Sequence, residues 1–329
     1  EKSRQYYVYL PEAYGSRPLP VVLALHGYGT TATGLATAHA MNPHANANDY
    51  IVVYPQGARF YSKVAWQSDE TLVSSWNDLA SNVPTEAGPH CLPDRLDYPC
   101  YAGCGDCKAC DWTSCEDDVG FLLSITQSVK EGLLVDPDRF YLLGNSNGGS
   151  MVQRLGCDYP EHYAAVGIMI YQMPPGHACG PQETLPMFHY YGELDDGVPP
   201  DGKPSPYGWV YTSAADNTRV WAETMGCGGQ AVPWQTALTR EQDLSCEAYT
   251  DCPGAGVVVS CGDPAAGHEW AAQRIDAIPA DCVAPAQKQD LPRQPICPAI
   301  SPPEQRWGME LVWQFFSQHS RSPALASTR

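Results

Sequence analysis

RFYLLGNSNGGSMVQRL, residues 139–155, is the stretch that decides the fold. Its first half, Phe140 to Leu143, is a short apolar and aromatic run suited to a buried strand, and its second half has helical composition. Between them Gly144-Asn-Ser146-Asn-Gly148 sets one hydroxyl at the hinge, where two glycines let the chain turn sharply from strand to helix. Such a turn exposes the Ser146 side chain at a helix N-terminus, where the partial positive charge of unpaired amides favours a developing anion. The bare five-residue pattern is weak evidence in a chain with 29 glycines; the strand-turn-helix setting makes it strong.

The same alternation continues on both sides. Apolar runs at residues 6–10, 21–25, 51–54, 140–143, 165–170, 187–191 and 256–261 predict strands, and 118–131, 148–157, 213–225 and 303–319 predict helices. VVLAL and AAVGIMI are apolar at nearly every position, as parallel strands covered by helices on both faces require. The expected fold class is α/β, a mostly parallel, doubly wound sheet. Two segments break the pattern: residues 60–116, with six cysteines, and the proline-rich 278–303, with Cys282 and Cys297. Both are expected to be bridged insertions on a single domain spanning residues 1–329. Ligands of open α/β sheets bind beyond the carboxyl ends of the strands, so the first insertion is placed to shape a cleft.

A chain of 329 residues with 43% hydrophobic content can bury one large core. A net charge of −18 sets it against nucleic acid or an anionic membrane surface as partner, because like charges repel at long range. No apolar run approaches the ~20 residues of a membrane span, and the first residues, EKSRQYYVYLPE, lack the apolar stretch of a secretory signal. Fourteen cysteines are many for a reduced cytosolic protein and suit disulfides formed in an oxidising compartment. The expectation is a secreted monomer from which any signal peptide has been removed.

A serine hydroxyl is a poor nucleophile until a base takes its proton, and that base needs an orienting acid. In the arrangement signalled by G-x-S-x-G the order along the chain is Ser, acid, His. Of nine histidines, His268 and His319 follow every candidate acid. His319 ends the amphipathic stretch WGMELVWQFFSQH and reads as a solvated helix tip. His268 lies in CGDPAAGHEW, directly after the strand-like VVVSC, where a catalytic loop belongs. For the acid, the run MFHYY ends in Gly192-Glu-Leu-Asp195-Asp196; Asp195 is favoured, with Asp196 and Glu193 left open, while Asp263 reads as a turn-former. An oxyanion would need two backbone N–H donors. Asn147, next to Ser146, is one; the loop His26-Gly27-Tyr28-Gly29 after VVLAL offers Tyr28 as the other, with His26 bracing the loop. No cofactor is implied, because nucleophile, base and donors are all protein groups.

The blocks VVLALHGYG, VVYPQG, DDVGF, DPDRFYLLGNSNGGSM, GELDDGVP and GHEW occur in this order over roughly residues 6–270. In them the sequence resembles the secreted α/β-hydrolase esterases of the polyhydroxybutyrate depolymerase-like and feruloyl esterase-like family. The resemblance implies an α/β-hydrolase fold and places nucleophile, acid and base on Ser146, Asp195 and His268, with oxyanion donors on Tyr28 and Asn147. It also implies a substrate-facing tryptophan after the PQG block. Trp76 in SSWND is the first candidate for it and Trp66 the second; Trp270, two residues after the base, would line the acyl or alcohol side. An exposed indole would stack on an aromatic acyl group or sugar ring, and burial in the core is the alternative for each. The family analogy pairs Cys157 with Cys179 and Cys227 with Cys252. The segment 60–116 departs from the usual form in being longer and richer in cysteine.

Within the cluster Cys91, Cys100, Cys104, Cys107, Cys110 and Cys115, the spacing Cys104-x-x-Cys-x-x-Cys110 resembles a metal-ligand set. Disulfides are the simpler reading in a chain with eight further cysteines, and no metal is expected. The reaction expected is hydrolysis of a carboxylic ester, feruloyl- or polyhydroxybutyrate-type, with polymeric substrates of plant cell wall or polyester included. Acetylxylan esterase or transfer of the acyl group to an alcohol are the alternatives. From another class comes a non-catalytic binder of polysaccharide or polyester on the same fold.

Overall fold

The computed structural model describes residues 3–62, 71–78, 92, 113–177, 184–254, 256–270 and 307–321. Nine strands form one sheet, in the spatial order β1 (Tyr6–Tyr9), β3 (Ile51–Pro55), β2 (Leu19–Leu25), β6 (Val135–Asn145), β7 (Ala165–Met169), β8 (Met187–Gly192), β11 (Val258–Asp263), β10 (Ser245–Tyr249) and β9 (Val232–Pro233). The strands from β3 through β11 in that order run parallel. β1 at one edge is antiparallel to β3, and at the other side β10 is antiparallel to β11 and β9 to β10. From β2 the chain steps outward to β3, then returns to the opposite side of β2 as β6 and grows through β7, β8 and β11. That reversal opens a crevice at the carboxyl ends of β2 and β6, the place where such sheets bind ligands.

Side chains of the central strands alternate between two layers, as the period of two demands. In β2, Val21, Leu23 and Leu25 join the layer of α3 (Asp118–Gly132), α4 (Asn147–Asp158) and α5 (Ala214–Thr224). Val22 and Ala24 join the layer of α1 (Ala32–Ala38), α2 (Met41–Ala47) and α7 (Gly308–Phe316), beside which lies the short α6 (Ala237–Glu241). Both layers are dry: Leu122, Met151 and Leu155 in the first and Met41, Leu311 and Phe316 in the second have no exposed surface. Each such side chain contributes about 1.5–3 kcal/mol by leaving water. Helix starts are capped by side chains, with Thr31, Asp117 and Ser213 accepting from Gly34, Gly120 and Asp216 at 2.8–3.0 Å.

Each strand expected from the sequence has its counterpart, and the helix expected from residue 303 is described from 308. The start of the 60–116 insertion instead forms an antiparallel hairpin, β4 (Ala58–Ser62) with β5 (Thr71–Ser75). β10, SCEAY, was not legible because its polarity is mixed, with only Ala248 buried; a disulfide joins its Cys246 to the directly opposed Cys261 of β11. Cys227 and Cys252 are bridged as the family analogy implies. Cys115 and Cys157 are also disulfide-bonded; Cys179 lies outside the described residues, as do the other cysteines of the 91–115 cluster and the whole of 278–303. Among the described residues no helix is long and apolar enough to cross a membrane.

Candidate active site

Ser146 closes β6 and opens α4 with φ 54° and ψ −121°, a backbone that non-glycine residues rarely adopt. The strained turn is held from both sides: Ser146 N–H donates to Met169 O at 2.9 Å, and Ser146 O accepts from Ser150 N–H at 3.0 Å. It is also held by lack of room. A Cβ at Gly144 would lie 2.1 Å from Gly148 O, and one at Gly148 would lie 2.4 Å from Leu25 O and 2.6 Å from His26 O. The two glycines of the motif are therefore where strand, helix and the neighbouring β2 touch backbone to backbone.

His268 and Asp195 come from the loops after β11 and β8, adjacent strands. His268 Nε2 lies 2.9 Å from Ser146 Oγ, and its Nδ1 lies 2.7 Å from Asp195 Oδ2. A carboxylate only accepts, so Nδ1 carries the proton and Nε2 faces the serine hydroxyl as an acceptor. The other oxygen, Asp195 Oδ1, accepts from the amides of Gly197 and Val198 at 2.8 Å each, which fixes the carboxylate's orientation. The Asp195 side chain is 1% exposed and that of His268 is 27% exposed. Burial opposes the charge on His268, but the Asp195 carboxylate, with Asp196 and Glu269 nearby, outweighs it and raises the imidazole pKa above 6.5. The alternative acids are placed differently: Glu193 and Asp196 are exposed on the same loop, and Asp263 accepts from Tyr190 Oη at 2.6 Å and from Ala265 N–H at 2.9 Å.

Across the crevice the loop after β2 approaches the start of α4. Gly29 N–H donates to Ser74 O and Thr30 N–H to Gly27 O, so the two amides that follow Tyr28 are fixed in place. The first-turn amides of α4, Asn147 among them, have no acceptor within the helix by construction. His26 is the expected brace: its Nδ1–H donates to Gly27 O at 2.8 Å, and its Nε2 accepts from Gly57 N–H at 2.9 Å and the Gln56 amide at 3.2 Å. Burial holds it neutral, with the pKa lowered to about 4.

The expected tryptophans are not exposed. Trp76 has no accessible surface and lies in the core with its indole N–H donating to His26 O at 2.8 Å; Trp270 is 1% exposed and packs its ring 4.2 Å from that of His39. Neither offers a face for stacking on a substrate, because each is buried in a core layer, Trp76 on one side of the sheet and Trp270 on the other. Trp66 lies outside the described residues. His319 is far from this edge: its carbonyl accepts from Tyr141 Oη at 2.8 Å and its ring packs on Phe315, so it is partly buried rather than a solvated tip. Missed by sequence reasoning was the Asn147 side chain, whose Oδ1 accepts from Trp76 N–H at 2.9 Å and whose Nδ2 donates to the buried Asp78. Among the described residues no group of three His, Cys, Asp or Glu side chains is arranged to hold a metal.

No protein-family model matches the chain. It is 27% identical over 237 residues to "Putative esterase NocK" of Nocardia uniformis subsp. tsuyamanensis, covering 72% of this chain and 52% of that protein. To feruloyl esterase B of Piromyces equi it is 28% identical over 164 residues, 46% of this chain and 29% of the relative. The chain thus spans about half or less of the length of these relatives. The structure superposes on acetyl xylan esterase from Aspergillus awamori with a TM-score of 0.52 at 14% identity, over 81% of this chain and 89% of that one. The chain has the α/β-hydrolase fold and is similar in sequence to esterases.

Proposed function

We propose that the protein hydrolyses carboxylic esters through an acyl-enzyme on Ser146. The observation that carries this reading is the unbroken relay from Asp195 to His268 to Ser146, with bonds of 2.7 and 2.9 Å ending on a hydroxyl at a helix start. Ser146 Oγ attacks the ester carbonyl as His268 Nε2 takes its proton, and Asp195 stabilises the imidazolium. The N–H groups of Tyr28 and Asn147 receive the oxyanion. His268 then gives the proton to the departing alkoxide, and water repeats the sequence to release the acid. A folded binder without activity would have no use for this geometry. A fluorophosphonate probe tests the reading: labelling that maps to Ser146 and disappears in Ser146→Ala supports it, and folded wild-type protein that stays unlabelled overturns it.

The sequence similarity to a feruloyl esterase and the structural likeness to an acetyl xylan esterase support esters attached to plant polysaccharide as the substrate class. Comparing rates on methyl ferulate, an acetylated xylan and a hydroxybutyrate oligomer under one condition separates this from the polyester reading; product analysis with added alcohol detects acyl transfer. Two disulfides, Cys227–Cys252 and Cys246–Cys261, support a protein that matures in an oxidising compartment.

A further inference from the structure

The end of β5 and the residues after it fill the gap between the β2 loop and the start of α4. Toward the β2 loop, Ser74 O accepts from Gly29 N–H at 2.9 Å, Ser74 Oγ donates to Thr30 O, and Trp76 Nε1–H donates to His26 O at 2.8 Å. Toward α4, Trp76 N–H and Ser75 Oγ both donate to Asn147 Oδ1, at 2.9 and 3.2 Å. Asn147 Nδ2 in turn donates to the Asp78 carboxylate and, at 3.4 Å, to Trp76 O. Arg154, two α4 turns further on, donates to Asn77 O at 2.5 Å. Ser75, Trp76, Asp78 and Asn147 are all buried.

Trp76 thus touches both loops at once, through its indole toward His26 and through its main chain toward Asn147. Stability alone does not account for this design. Burying the Asp78 carboxylate carries a desolvation penalty that an apolar residue of the same volume would avoid. What polar bonds provide, and apolar contact does not, is a fixed direction. Here the direction fixed is that of the Asn147 side chain, and through it the start of α4, relative to the chain around Tyr28.

We propose that Trp76 and Asp78 are positioning residues for the oxyanion hole, clamping the two donor segments so that the Tyr28 and Asn147 amides converge on one point. The inference rests on the reading of those two amides as donors. It gives Trp76 a role behind the site in place of contact with substrate.

The test compares wild type with Trp76→Phe, which keeps a ring but removes the indole donor, and with Asp78→Asn, which keeps the shape and removes the charge. Steady-state hydrolysis of p-nitrophenyl acetate and inhibition by phenylboronic acid, whose tetrahedral serine adduct imitates the oxyanion, are measured with thermal midpoints. A misdirected donor is expected to lower kcat by roughly ten- to a hundredfold, part of what complete loss of a donor causes, while KM stays within about threefold and boronate affinity falls in parallel with kcat. Should Trp76→Phe not fold, Asp78→Asn carries the test with the same expected direction. Folded variants with wild-type kcat, or with reduced kcat and undiminished boronate affinity, overturn the proposal. Wild type that labels at Ser146 beside indifferent variants defeats the clamp alone, whereas unlabelled wild type defeats the hydrolase reading itself.

Discussion

Leu194 N–H donates to Ala266 O at 3.0 Å, tying the loop that bears Asp195 to the loop that bears His268. A second bond, Glu193 N–H to Asp263 O at 2.9 Å, repeats the tie one step nearer the strands. Acid and base therefore move as one unit on β8 and β11, and the spacing between them does not depend on the Asp195 charge. Asp195→Asn is expected to keep the fold and KM while lowering kcat by about 10³–10⁴, because the amide no longer selects the Nδ1–H tautomer or stabilises the imidazolium. Kinetics at neutral pH with a thermal melt check both halves of this expectation.

The raised pKa of His268 sets the direction of the pH dependence. Burial works against its proton, but Asp195, Asp196 and Glu269 prevail, so the base becomes free only above 6.5. The kcat/KM profile is expected to rise with pH through a midpoint above 6.5, and Asp196→Asn to move that midpoint down. Added salt is expected to do the same in part, since Asp196 is exposed. The stability sign is opposite: a raised folded pKa stabilises the native state fully below the unfolded value and loses that contribution as pH rises through the folded one. Thermal midpoints of wild type and His268→Gln across pH 6 to 9 check this sign.

Gly148 has backbone neighbours where a Cβ would go, Leu25 O at 2.4 Å and His26 O at 2.6 Å. Main-chain atoms of a central strand do not yield, so Gly148→Ala is expected to destabilise by about 3 kcal/mol and to lower activity by parting β2 from α4. Gly132, with no neighbour within 4 Å of its built Cβ, is the control; Gly132→Ala is expected to leave both unchanged. Denaturant melts of the two variants give the comparison.

Ser146 sits at φ 54°, and such strain is worth about 1–3 kcal/mol. Glycine accepts this backbone, although its looser unfolded chain takes back about 0.5–1 kcal/mol. Ser146→Gly is therefore expected to melt above Ser146→Ala by about 1 kcal/mol of stability, with both inactive. Equal midpoints would show that the turn is not strained.

Why parts of this were legible in the sequence and others not follows from the range of the forces involved. The strand runs and the Ser146 turn are local, written in apolar periodicity and in two glycines, and the expected strands appear in the structure. Asp195 and His268 follow from chain order and strand ends, and the structure brings His268 to Ser146 and Asp195 to His268. The tryptophans did not follow, because an indole near a site in sequence carries no sign of which way it faces; Trp76 turns inward to His26. The bonds of Asn147 to Ser75, Trp76 and Asp78 join residues about seventy positions apart, beyond any pattern of spacing. β10 lacked a pattern for another reason: a strand near the sheet margin that is largely exposed needs no apolar run.

Since the sheet reverses its growth between β2 and β6, Val21 pairs with Phe140, and everything between them is a closed loop. The entropy of closing so long a loop rises only logarithmically, by about 0.6 kcal/mol for each doubling. Residues between Asp78 and Thr113 can therefore lengthen and acquire cysteines at little thermodynamic expense to the seam that aligns Ser146. Variation in the length of that segment is thereby separated from the turn that presents Ser146.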